Sequence, residues 1–175
     1  MRKAFSLMEL LIVVVIMGVV YNLAVGSFQK IGEVKTPLSL KNLKKYLSDF
    51  EYEEKVKFLC LDSCSRCDIF VDGKKQEELH GKFDGFLDDS VKIYRYEYGL
   101  GAIRVEPKAY FNEEDVEEDV CFSYSLNKQG IGEQVLVEFK GSVYDFSPYF
   151  SKTLKYGSLD DAVNAKEVLV QETFR

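Results

Sequence analysis

The chain has 175 residues, a net charge of −6, four cysteines, one histidine and no tryptophan. That length allows one globular domain with a real core plus an anchor segment, and the acid excess excludes a general binder of nucleic acid or anionic lipid, which needs a basic footprint. Abundant tyrosine and phenylalanine favour a fold that contains sheet.

From Phe5 to Phe28 the only charged residue is Glu9, and Arg2 and Lys3 stand directly before the run. As a helix this stretch would measure roughly 36 Å, enough to cross a hydrocarbon core of roughly 30 Å. Lys30, Lys35, Lys41, Lys44 and Lys45 follow it, so the distribution of basic residues leaves the orientation open. An ordinary signal peptide is one reading, with cleavage at Ala24-Val25-Gly26 releasing a soluble secreted binding domain that starts at Ser27. Glu9 counts against it, because an unpaired carboxylate inside an apolar segment costs several kcal/mol.

Arg2-Lys3-Ala4 followed by Phe5-Ser6-Leu7-Met8-Glu9-Leu10 resembles the processing site of type IV prepilins and type II secretion pseudopilins, and Met17-Gly18-Val19-Val20 is similar to that family's helix. The resemblance covers about the first twenty-five residues. It implies a leader over residues 1–4, peptidase cleavage between Ala4 and Phe5, N-methylation of Phe5, a transmembrane and assembly helix over 5–30, and a globular domain over 31–175. Glu9 would then pair with the N-terminal ammonium of a neighbouring subunit, a use of buried charge that sets register rather than stability. The chain departs from the family in carrying Ala4 where glycine is usual before the cut, and Gly26 where many members have proline. Glycine there still weakens a helix, by roughly 1 kcal/mol relative to alanine.

Thr36-Pro37 reads as an N-cap with proline at the first helical position. Leu40, Leu43, Leu47 and Phe50 then lie at helical spacing, with Lys41, Lys44, Lys45 and Asp49 on the other faces, which predicts an amphipathic helix. Beyond Glu54 the period shortens to two. Strands are predicted at 56–61, 68–71, 91–98, 102–106, 120–126 and 135–139, with Asn127 to Gly132 as the turn between the last two. Ser158-Leu159-Asp160-Asp161 is similar to a capping box and opens a closing helix whose extent toward Val170 is open. One helix on grouped antiparallel strands is an α+β pattern, and the resemblance implies the same: a long N-terminal hydrophobic and amphipathic helix packed on an antiparallel sheet.

Cys60, Cys64 and Cys67 share one short stretch and Cys121 lies in a later strand. In an exported domain at least one disulfide is expected. Free thiols, or a zinc site using Cys60, Cys64 and Cys67 with Cys121 or His80, are the alternatives, and a thioredoxin-like role for Cys64-Ser65-Arg66-Cys67 is disfavoured because a strand-like run follows. His80 reads as a solvent-facing loop residue. Gly99-Leu100-Gly101 lacks the third glycine of a dinucleotide turn, and the run from Glu113 to Asp119 lacks the spacing of a calcium loop, so it reads as a solvated acidic loop. Tyr94, Tyr96 and Tyr98 project from one strand face.

No catalytic or cofactor motif emerges, and the reading is of a structural subunit rather than an enzyme. The resemblance implies a single-pass inner-membrane protein with a periplasmic domain, whose partners are other pilin-like subunits, the prepilin peptidase, an inner-membrane assembly platform and lipid. Direct nucleic-acid binding is not expected. A type IV pilus, a secretion pseudopilus and a DNA-uptake pseudopilus are all compatible. Glu9 argues against the tip subunit of secretion pseudopili and no calcium loop marks a major one, which favours a minor pseudopilin.

Overall fold

The computed structural model describes Met8 and residues 10–18, 38–106, 109–112, 115–149 and 152–173. The chain forms two compact units, Met1–Pro37 and Leu38–Arg175. In the first, residues 10–18 form helix α1, and from Leu10 to Met17 every side chain is at least 42 % exposed. At 1.5 Å per residue these described residues of α1 span about 14 Å. Among the described residues no helix is long and apolar enough to cross a membrane. The expected transmembrane helix, and with it the single-pass inner-membrane placement with a periplasmic domain, is therefore corrected.

The second unit is built mostly of antiparallel sheet. Its strands are β1 (Lys55–Leu61), β2 (Arg66–Val71), β3 (Lys74–Lys75), β4 (Lys92–Glu97), β5 (Gly101–Arg104), β6 (Tyr110–Phe111), β7 (Glu117–Glu118), β8 (Val120–Asn127), β9 (Leu136–Phe139), β10 (Ser142–Asp145) and β11 (Leu154–Tyr156). They make a four-stranded sheet in the order β3-β2-β1-β8, a five-stranded sheet β11-β10-β9-β4-β5 and the small pair β6-β7. Among the described residues two α-helices, α2 (Leu43–Ser48) and α3 (Leu159–Thr173), and a 3-10 turn at Glu77–Leu79 join them. The expected α+β class, with a long N-terminal helix laid on a sheet, is overturned: the described helices are short and the sheets dominate.

The amphipathic stripe explains why α2 is short yet held. Leu40, Leu43 and Leu47 are buried in the main core while Lys41 and Lys45 face out. The chain before the helix is a turn in which the Ser39 N–H donates to Asn42 Oδ1 at 2.7 Å, and Thr36 and Pro37 lie outside the described residues. A helix of this length has little stability from its own hydrogen bonds. Each fully buried leucine contributes roughly 1.5–3 kcal/mol, so burial fixes it.

Strand β1 is buried on both faces. Val56, Phe58 and Cys60 join Ile69, Phe122, Tyr124 and Leu126 in the main core, which also takes in Val91, Val135, Val137 and Phe146 and so links the two larger sheets. Leu59 and Leu61 face the opposite way, with Val120 and the half-buried Phe70 and Tyr110. On the second sheet Val137 faces the main core, while its neighbour Leu136 packs with Val143 and Ala162 of α3.

Strict alternation along β8 would put Val120, Phe122, Tyr124 and Leu126 on one face. The structure puts Val120 on the other, because the register with β1 slips between Cys60↔Phe122 and Leu61↔Val120, leaving Cys121 as the extra residue of a β-bulge. After β8, Asn127 to Gly132 is a turn, with the Ile131 N–H donating to Asn127 Oδ1 at 2.9 Å. It carries the chain from the first sheet to the second, so β8 and β9 are not neighbours. Helix α3 starts where Ser158 Oγ accepts the Asp161 N–H at 3.1 Å, the N-cap bond of a capping box, and runs to Thr173.

Candidate functional site

The cysteine-bearing end of the first sheet gathers most of the residues that carry chemistry. Strands β1 and β2 bring Cys60 opposite Cys67 in the ladder, where they form a disulfide with Cα atoms 4.1 Å apart. The residues between them turn back sharply: the Ser65 N–H donates to the Asp62 carbonyl at 3.0 Å, and Asp62, Ser63 and Cys64 all have positive φ. The bulge in β8 delivers Cys121 to this turn, and it is disulfide-bonded to Cys64 with Cα atoms 5.3 Å apart. The four sulfurs are thus joined in two separate pairs, which leaves no free thiolate for a zinc site. Among the described residues no group of three His, Cys, Asp or Glu side chains is placed to hold a metal.

Beside the disulfides stands a charged cluster built on Asp68, whose side chain is 6 % exposed. One of its oxygens accepts from His80 Nδ1 at 2.9 Å and the other lies 3.2 Å from Lys75 Nζ. A carboxylate can only accept, so Nδ1 carries a proton here. His80 is therefore held by a buried partner, and the loop reading captured only its half-exposed ring. Arg66 reaches Glu118 at 2.6 Å and Asp62 at 3.5 Å; Asn112 Nδ2 donates to the other oxygen of Glu118 at 3.1 Å. Glu118 of the acidic run consequently ties the β6-β7 pair to β2, whereas Asp115 and Glu117 are exposed. Every charge of this cluster has an opposite partner among the described residues. The arrangement cross-links three elements.

Asp68, Lys75 and Arg66 were not singled out by sequence, and Glu118 was read only as part of a solvated acidic loop; the available signal was Asp68 itself, a charge inside the apolar run Cys67 to Val71. The tyrosine stripe divides. Tyr94 donates to Glu138 Oε2 at 2.9 Å, and Tyr94 and Tyr96 pack under α3. Tyr98 and Leu100, at the tip of the β4-β5 hairpin, are each 73 % exposed. A second acidic feature is Asp72, which accepts the N–H groups of Glu53, Glu54 and Lys55 at 2.8–2.9 Å. These bonds, first of all that from Glu53, hold its carboxyl below the ordinary carboxylate range.

Ala4, Phe5 and Glu9, the residues assigned to cleavage, methylation and assembly, lie outside the described residues. No protein-family model, no curated protein and no solved structure matches the chain. The resemblance to prepilins therefore rests on the N-terminal residues alone.

Proposed function

We propose that the chain is a structural subunit of the pilin-like kind, processed by a prepilin peptidase between Ala4 and Phe5 and assembled with related subunits through its N-terminal segment. A minor subunit of a secretion or DNA-uptake pseudopilus, or of a type IV pilus, is the form of the proposal. The observation that carries it is the coincidence of Arg2-Lys3, Phe5 and Glu9 at fixed spacing ahead of an apolar run. Supporting it, α1 presents apolar side chains all round, each from Leu10 to Met17 at least 42 % exposed. A helix that is hydrophobic on every side needs cover from its surroundings, and packing against like segments of neighbouring subunits provides that cover. A carboxylate among such segments becomes tolerable once an ammonium faces it.

Sequencing the N-terminus of the mature protein, purified from cells that contain a prepilin peptidase, is the decisive experiment. The expected residue is N-methylated Phe5. A mature chain beginning at Ser27 would end the proposal in favour of a secreted binding domain cut by ordinary signal peptidase.

A further inference from the structure

We propose that the Cys64–Cys121 disulfide is a redox-sensitive clasp, opened by a dithiol ahead of the Cys60–Cys67 disulfide, and that its opening releases the left-handed turn at residues 62–65. The two bonds sit in different surroundings. Cys60 and Cys67 are both fully buried and directly opposed, with the pairs Leu59↔Asp68 and Leu61↔Arg66 on either side. Cutting that bond leaves the ladder as it was, so no backbone relaxation favours the cut. Cys64 closes a turn in which three successive non-glycine residues are left-handed, with φ of 52°, 54° and 66° at Asp62, Ser63 and Cys64. Left-handed backbone is disfavoured for an ordinary residue by a factor of about five to thirty, and such strain persists only where the surroundings enforce it. The tie to Cys121, made possible by the bulge in β8, is what enforces it here.

Access points the same way. Cys60, Cys64 and Cys67 are fully buried, whereas Cys121 is partly exposed. A thiolate of the dithiol attacks Cys121 Sγ, forming a mixed disulfide and expelling the Cys64 thiolate, which takes a proton from water. The reagent's second thiolate then displaces Cys121, closing the reagent's own disulfide; two electrons pass from the dithiol to the protein. The freed turn also carries the Ser65 carbonyl, which accepts the Gly85 N–H, and the Asp62 N–H, which donates to Asp119, both at 3.3 Å. Release therefore loosens the segment around Gly85 and the start of β8 while β1 and β2 stay linked.

The test titrates the oxidised full-length protein in buffers of reduced and oxidised dithiothreitol, quenches with acid, alkylates, and maps the modified peptides. The expected result is a range of potentials in which Cys64 and Cys121 are alkylated and the Cys60–Cys67 peptide is intact. In that species amide exchange should accelerate at Ser65 and Gly85 and stay slow in the β1-β2 ladder. Ser63→Gly, which removes the left-handed penalty at one position, should shift the dithiol ratio needed to open Cys64–Cys121 by about fivefold or more toward stronger reduction. Loss of both disulfides together, earlier opening of Cys60–Cys67, alkylation of any other cysteine pair, unchanged exchange at Ser65 and Gly85, or an unmoved midpoint in Ser63→Gly would each overturn the proposal.

Discussion

At the scale of single residues, Gly132 and Tyr124 show how one position can depend on a distant one. A Cβ at Gly132 would fall on the Tyr124 hydroxyl and lie 3.0 Å from Leu126 Cδ2. Tyr124 is fully buried, and its hydroxyl has no hydrogen-bond partner among the described residues. Burial and then the charge of Glu133 push its phenol well above the ordinary range, so it stays protonated. Gly132→Ala should therefore destabilise by about 1–3 kcal/mol through overpacking. Tyr124→Phe, which removes an unpaired polar atom, should be close to neutral. The double variant should recover part of the loss, measured as a non-additive term in urea unfolding; strict additivity would show that the two side chains do not meet.

Asp72 gives a pH-dependent case at the same scale. Its carboxyl is held below the ordinary value by three backbone donors, so its contribution is fully present above the unfolded pKa of about 3.9. That contribution is lost as pH falls through the lower, folded value. Asp72→Ala should lower the urea midpoint at neutral pH, and the gap to the parent should close as pH drops below about 4. A gap that persists unchanged at acid pH would mean the charge plays no part. Glu9 carries the functional prediction: Glu9→Ala should leave peptidase cleavage intact, since cleavage reads the leader junction, yet impair incorporation with other pilin-like subunits. Normal incorporation of the variant, scored in sheared filament fractions, would remove the assigned role.

Among the elements, α3 is long for the little it buries. Only Ala162 of its fifteen residues is buried, and Val168 and Leu169 are more than half exposed. What anchors it is Lys166, 2.7 Å from Asp145, a carboxylate that is 2 % exposed and also accepts the Ser147 N–H. Removing the cation leaves a buried charge short of its partner, a change that costs roughly 3 kcal/mol or more. Lys166→Ala should speed hydrogen exchange throughout α3 before it affects β1, β2 and β8. Exchange rates in α3 that match the parent would show that the apolar contacts of Leu159 and Ala162 suffice. The element scale also shows what sequence could and could not convey. Period-two runs located the long strands, and the Ser158 capping pattern located the start of α3, because both signals are local. The short strands β3, β6, β7 and β11 carry too few residues to show a period, and β10, as long as β5 and β9, was not read as a strand. The bulge at Cys121 left no mark, since Val120, Phe122, Tyr124 and Leu126 alternate without a break in the sequence. Its cause is a pairing with β1 some sixty residues earlier in the chain. The pairing of His80 with Asp68 was hidden for the same reason. It exists only because β3 and the turn after it fold back along β2.

For the whole molecule, the division into Met1–Pro37 and Leu38–Arg175 has a physical consequence. Every residue of the three core clusters lies between Leu38 and Ala162, and both disulfides join residues inside that range. The second unit therefore holds its own core and its own disulfides. A fragment beginning at Leu38 should fold on its own, oxidise to the same two disulfides, and unfold in one cooperative transition, as single domains of this size usually do. Its melting temperature should lie within a few degrees of the full chain's, because a shift of about 1 kcal/mol moves such a domain by only about 4 °C. On the proposed function, the same fragment should fail to enter filaments alongside pilin-like subunits, because the segment proposed to assemble is gone while the sheets are whole. The two measurements separate folding from assembly. A fragment that unfolds would show that the N-terminal unit supports the core, and a folded fragment that still enters filaments would place the assembly contacts in the sheet unit instead.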